Sequence, residues 1–313
     1  MRVFFCAALV YIILPLPQRA QGPVGSWQDH LSYNSARTIA IGSKEIYAST
    51  GSSLIIYNRE YSELRKAGRV QGLSETGIST IAWSPEYNSL VIAYQSTNVD
   101  ILSENSIYNI PDIKRKYIPG KKEIFRIRTR GKYAFLAGSF GIVILDIPKK
   151  EIHDTWKPGD EGTEIYDVAF DAETVYAATS SGLYSANLSN PGLAYSGNWS
   201  RVKAFPNPQA SFNAVIFLNN KLYVNLSAPY EYADTLYSLT GTSTVSVISA
   251  QPYLKNLSLE TFASGFTVTS ANMVRVYNSD GQYIKAITSY NQGTPDISHA
   301  EADGQDIWIA DKS

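Results

Sequence analysis

The feature that most constrains this chain is an internal repeat. An apolar run, a polar turn, a second run rich in Tyr, Ala, Val and Ile, a Gly or Ser turn and a third apolar run recur along its 313 residues. The first runs begin near Ala36, Ile78, Ile124, Ile165, Phe212, Leu254 and Ile297, which sets a period of 41–47 residues. The second runs align as Ile46-Tyr47-Ala48, Val91-Ile92-Ala93, Tyr133-Ala134-Phe135, Tyr176-Ala177-Ala178, Leu222-Tyr223-Val224 and Phe266-Thr267-Val268, and a last partial copy starts at Asp306. Three or four short strands at this period describe a propeller blade. One small twisted sheet cannot bury both faces unless neighbours stack against it around an axis. A β-sandwich lacks such a period, and a β-helix repeats at about half this length or less. The expected fold is all-β: a β-propeller of about seven blades of short antiparallel strands, the last blade incomplete. The 22 Tyr against two Met suit strands and polar turns better than helical bundles.

The two ends read differently from the middle. Met1-Arg2 precedes an apolar run, Val3–Leu14, and Pro15, Pro17 and Ala20 follow, so residues 1–22 are expected to be a signal peptide. The 12-residue apolar core falls short of the ~20 residues that span a bilayer. An exported chain, soluble or peripherally held, is therefore expected. The propeller occupies residues 23–313. Its seventh repeat stops after a second strand, so the chain is expected to be a fragment of a longer protein. The segment 26–33, Trp27 to Tyr33 at its centre, is the natural outer strand for closing the last blade and covering its open edge.

Chemistry-bearing motifs are sparse. Cys6, the only cysteine, lies in the signal peptide, which excludes a disulfide framework or a Cys-based zinc site from the folded part. With 27 basic against 28 acidic residues, no global field draws in a nucleic acid. His30, His153 and His299 lack the short spacing of a zinc motif. His299 and Glu301 share one strand face, with Asp303 two residues on, yet small polar or acidic residues are also what a tapering propeller axis carries. A P-loop, a Gly-rich dinucleotide fingerprint and a Gly-x-Ser-x-Gly elbow are absent, and no catalytic residue, metal or cofactor is expected. Asn187, Asn198, Asn225 and Asn256 head Asn-x-Ser sequons, which matter only in a eukaryotic secretory pathway.

One charge cluster stands out. Lys114, Arg115, Lys116, Lys121, Lys122, Arg126, Arg128, Arg130 and Lys132 lie in a stretch whose only acid is Glu123, a local charge of about +8. Arg126, Arg128 and Arg130 alternate with Phe125, Ile127 and Thr129, which places three guanidiniums on one strand face. Lys114, Arg115, Lys116, Lys121, Lys122, Arg126, Arg128 and Arg130 are the candidate site for an anionic glycan, through bidentate bonds to phosphate or carboxylate. The competing reading is a solvated rim balanced by Asp154, Asp160, Glu161 and Glu164 on the next blade.

Three longer stretches are distinctive. Gly25–Ala36 (GSWQDHLSYNSA), Val70–Ala82 (VQGLSETGISTIA) and Ile107–Lys116 (IYNIPDIKRK) resemble the PorZ family, the propeller proteins of the Bacteroidetes type IX secretion system. The resemblance runs from about Val24 to the end and is clearest before Gly162. The shared Tyr-Ala-x-Thr-x-x-Gly-Leu-Tyr blade core also resembles sensor propellers of two-component regulators, which keeps a periplasmic sensor as the alternative. What the resemblance implies is a non-catalytic protein at the outer membrane and cell surface. Its implied partners are the sortase PorU with PorV and PorQ, and its implied ligand is anionic lipopolysaccharide delivered for cargo anchoring. Full-length members carry a second propeller and a C-terminal sandwich domain, neither of which is in these 313 residues.

Overall fold

The computed structural model describes residues 31–313 except 32, 105, 230–232, 249–253, 290–293 and 305. Six four-stranded antiparallel blades and one two-stranded sheet stand in a ring. The innermost strands are Thr38–Ile41, Ile78–Ser84, Ile124–Arg130, Ile165–Phe170, Phe212–Leu218 and Ser258–Phe262 in blades 1 to 6. A hairpin, Ile297–Asp303 with Asp306–Asp311, fills the gap between blade 6 and blade 1. The structure thus shows six complete blades, not about seven, because the seventh repeat is present only as this hairpin. The expected signal peptide lies outside the described residues. So does the closing strand over 26–33, apart from Leu31 and Tyr33, neither of which is in a strand.

Burial follows position in the blade. Ser89–Tyr94 and Gly265–Ser270, both second strands, are buried at every residue because a neighbouring blade covers each face. Ser89–Tyr94 accordingly reads as a nearly continuous apolar run, whereas Gly265–Ser270 buries Thr267, Thr269 and Ser270 between its apolar residues. The outer strands Glu63–Ala67 and Tyr283–Ile287 are mostly exposed. Each seam between blades is a separate apolar cluster, for example Leu54, Ile56, Ile81 and Ile92 between blades 1 and 2, or Phe135, Ile144, Val168 and Val175 between blades 3 and 4.

A bulge recurs near the start of the innermost strand in blades 2, 3, 4 and 5 and in the hairpin. One residue there (Ser79, Phe125, Tyr166, Asn213 or Ser298) has no cross-strand partner, which shifts side-chain parity by one. Residues three apart then share a face: Ile78 with Ile81, Ile124 with Ile127, Ile165 with Val168, Phe212 with Val215, Ile297 with Ala300. The residue after the bulge is Thr80, Arg126, Asp167, Ala214 or His299, and in blades 3 and 4 and in the hairpin it is ionisable.

Candidate functional site at the propeller axis

Arg126, Asp167, Glu260 and His299 each occupy the third position of an innermost strand, in blades 3, 4 and 6 and in the hairpin. Arg128 and Glu301 lie two residues further on. Together they form one ion network across the ring. Arg128 grips Asp167 in a bidentate pair, Nε to Oδ1 and Nη2 to Oδ2, both 2.8 Å, while its Nη1 donates to Glu260. Arg126 Nη1 donates to Glu260 Oε1 at 2.7 Å, and its Nη2 donates to the Leu257 carbonyl at 3.1 Å. Asp167, fully buried, also accepts from the backbone N–H of Val168 at 2.9 Å and of Val215 at 3.2 Å.

The hairpin joins through two side chains. His299 Nε2 lies 3.1 Å from Glu260 Oε1, and His299 Nδ1 accepts from Ile39 N–H at 3.2 Å. Glu301 Oε2 accepts from Ile41 N–H at 3.0 Å. Burial pushes the Glu260 carboxyl upward, but Arg128, His299 and Arg126 outweigh it and hold the group far below the usual carboxylate range. Burial would lower the Arg128 guanidinium, and Asp167 and Glu260 overcome that and raise it. Glu301 goes the other way: burial, then the charge of Glu260, lift it to about 8, so it is mostly a neutral carboxyl at pH 7.

A cavity of about 950 Å³ opens along the axis beside this network, lined among others by Thr80, Phe125, Arg126, Thr129, His299 and Glu301. Ligand atoms of Glu260, His299 and Glu301 come within 4.8 Å of one another. Most of their acceptor positions are already used: Glu260 by two guanidiniums and the imidazole, His299 Nδ1 by Ile39 and Glu301 Oε2 by Ile41. Arg126 and Arg128 supply the positive charge that an ion would bring to such a trio. The donor set is therefore a closed hydrogen-bond network and a poor fit for a metal ion.

The eight cationic residues singled out from sequence fall into three environments. Lys114, Arg115, Lys116, Lys121 and Lys122 sit on the rim, around a four-residue helix (Asp112–Arg115) and the loop that leads into blade 3. There Lys114 pairs with Glu75 at 2.7 Å, Lys121 with Glu123 at 2.8 Å and Glu164 at 3.6 Å, and Lys122 donates to the carbonyls of Lys114 and Lys116 at 2.8 Å each. Arg115 and Lys116 are exposed and make no ion pair among the described residues. Arg126 and Arg128 belong to the axis network. Arg130, at the far end of the same seven-residue strand, lies over the Phe170 ring at 5.2 Å, roughly 20 Å along the strand from the rim. Of the four acids expected to balance the cluster, Glu164 reaches it; Asp154 instead accepts from Thr155 N–H and Trp156 Nε1. His153 stacks on Tyr133, and Asn225 and Asn256 are buried.

Sequence reasoning missed Asp167 and Glu260. For Asp167 the usable signal was its place two residues after the apolar start of its repeat; Glu260 lies six residues after Leu254, and that spacing does not find it. Another missed device is the clasp on blade 2: Asp100, fully buried, accepts from Ser74 N–H (2.9 Å), Ser74 Oγ (2.7 Å), Tyr94 Oη (2.6 Å) and Asn109 Nδ2 (2.8 Å). Through Ser74 the loop is locked onto blade 2 before the chain enters its innermost strand.

Fold and site together define a β-propeller with an ion-paired axis and a cationic rim between blades 2 and 3. Residues 46–200 match the family model of the N-terminal β-propeller domain of PorZ of the type IX secretion system. A solved structure of PorZ from Porphyromonas gingivalis, described as an essential bacterial surface component of that system, superposes with a TM-score of 0.76 at 22% identity, over 90% of this chain and 36% of that one. The chain thus spans little more than a third of that protein. A component of the mitotic checkpoint complex is similar in fold alone, with a TM-score of 0.63 at 11% identity, over 90% of this chain and 88% of that one. No curated protein matches the chain.

Proposed function

We propose that this chain is a non-catalytic, cell-surface component of the type IX secretion system. In this role it assists the sortase PorU, with PorV and PorQ, by binding or delivering anionic lipopolysaccharide for cargo anchoring. The observation that carries the reading is the PorZ propeller family match over residues 46–200. Export through the signal peptide over 1–22 belongs to the same reading, and no helix among the described residues is long and apolar enough to cross a membrane.

The axis geometry supports a holding role and not a reacting one, because each charged group there is consumed by another. It also narrows the glycan site. Arg126 and Arg128 are committed to Asp167 and Glu260, so anion binding falls to the rim, where Arg115 and Lys116 are exposed and Lys114, Lys121 and Lys122 surround them. The hairpin Ile297–Asp311 is, on this reading, the inner half of a seventh blade; its position between blades 6 and 1 supports that.

The test is binding of the mature chain to purified anionic lipopolysaccharide at two salt concentrations, beside a Lys114→Ser, Arg115→Ser, Lys116→Ser variant. Exposed charges contribute at most about 1 kcal/mol each to stability, so the variant should fold. Loss of binding at low salt is expected, and unchanged binding would leave the cluster as a solvated rim.

A further inference from the structure

The hairpin is the weakest-packed sheet of the ring. The clusters that flank it are the smallest, Ile39, Ile46 and Ala310 toward blade 1 and Val274, Ile297 and Ala300 toward blade 6. Its attachment therefore leans on polar bonds. Toward blade 1, Ile39 N–H donates to His299 Nδ1, Ile41 N–H to Glu301, Ser298 Oγ to the Ala36 carbonyl at 3.1 Å, and Arg59 pairs with Asp303. Toward blade 6, Thr267 Oγ1 donates to the Ala300 carbonyl at 3.2 Å and His299 Nε2 meets Glu260.

Only His299, among the described residues of the hairpin, bonds both neighbouring blades through one ring. Because Nδ1 accepts from a backbone N–H, the ring proton sits on Nε2 and is donated to Glu260. We propose that His299 is a proton-operated latch at the point where the ring closes. The neutral imidazole ties the hairpin to blades 1 and 6 together. A second proton turns Nδ1 into a donor facing the Ile39 N–H, which breaks that bond and loosens the seam with blade 1 at Ile39.

The surroundings make the release one-sided. Glu260 of blade 6 attracts an imidazolium and keeps its bond. Arg126 and Arg128 of blade 3 repel it, although Asp167 of blade 4 offsets Arg128. Glu301 on the same strand is a neutral carboxyl in mild acid, and what blade 1 turns toward the ring is backbone N–H, from Ile39 and Ile41. Arg59–Asp303 lies four residues along the strand from His299. Protonation thus costs the hairpin the His299–Ile39 bond to blade 1, leaving Glu301–Ile41, Ser298–Ala36 and Arg59–Asp303 to hold that side, while the bond to blade 6 persists.

Imidazole ¹⁵N spectra and amide hydrogen exchange on the mature chain, between pH 7.5 and 5, test this. The expected spectrum at pH 7.5 is the Nε2–H tautomer. On acidification the Ile39 amide should lose protection by about tenfold or more after correction for intrinsic exchange, in step with His299, while the Leu259 and Val268 amides of blade 6 stay protected. His299→Gln, whose carbonyl can accept from Ile39 and whose NH₂ can donate to Glu260, should keep Ile39 protected at both pH values. An Nδ1–H tautomer, a protection of Ile39 that ignores pH, or the same acid loss in His299→Gln would overturn the proposal. Should His299→Gln not fold, the unmodified chain still decides: an Ile39 midpoint that differs from the His299 midpoint overturns it.

Discussion

Replacing Arg128 by methionine tests whether the axis network holds the propeller together. The substitution keeps most of the side-chain volume and removes the only bidentate partner of Asp167, a carboxylate with no solvent exposure. Asp167 would retain the N–H groups of Val168 and Val215 and a distant Arg126 Nε at 3.8 Å; Glu260 would retain Arg126 and His299. Breaking a buried ion pair from one side costs about 3–5 kcal/mol because a charge is left uncompensated. Glu260 keeps partners, so the lower end, about 3 kcal/mol, is expected. At roughly 2–4 °C per kcal/mol for a domain somewhat smaller than this one, and less for a larger one, the midpoint should fall by about 6 °C. Calorimetry and urea unfolding read this directly. Adding Asp167→Asn should return part of the loss, since the orphaned charge goes with it, and the cycle should show a coupling of about 1–3 kcal/mol. A loss under about 1 kcal/mol, or strictly additive single variants, would refute the reasoning.

Glu301 has a folded-state pKa raised from 4.5 to about 8, so its neutral form favours the fold: that stability is complete below about pH 4.5 and is lost as pH rises through 8. Glu301→Gln should flatten the alkaline decline in unfolding midpoint, and an unchanged slope would contradict the assignment. Glu260, held below its ordinary value of 4.5, has the opposite sign: its contribution is present above that pH and fades in acid, and Glu260→Gln should remove this acid-side slope in urea titrations. Ser74→Ala strips one hydroxyl from buried Asp100 and should cost about 1–3 kcal/mol by chemical denaturation, whereas Ser189→Ala, within an exposed turn, should cost little. At Gly265 an added Cβ would lie 1.9 Å from the Tyr277 carbonyl oxygen, so Gly265→Ala should lower the melting midpoint sharply.

The repeat made the architecture legible because a blade is local: its strands are consecutive, and a period of 41–47 residues is visible by alignment. Blade count was less legible, since a hairpin and a full blade start with the same two runs. The paired apolar residues three apart, Ile124 with Ile127 or Ile165 with Val168, mark the bulge in the sequence itself. Reading Ile124–Arg130 as strict alternation put three arginines in one stripe. The register keeps Arg126, Arg128 and Arg130 on one face of the strand, but the first two pair with acids at the axis while Arg130, at the strand's far end, lies over the Phe170 ring. Arg128 and Glu260 are 132 residues apart and meet only because the ring closes, a fact that no local pattern records. His299 and Glu301 were visible as a shared face, but their partners on blades 1 and 6 were not.

The central claim, a surface role in type IX secretion, is tested most directly in the host bacterium. Deleting the gene and following one cargo protein at the outer membrane should show cargo that retains its C-terminal signal and lacks the anionic lipopolysaccharide anchor, with both restored by the intact gene. Cargo that is cleaved, anchored and displayed normally in the deletion strain would contradict the account.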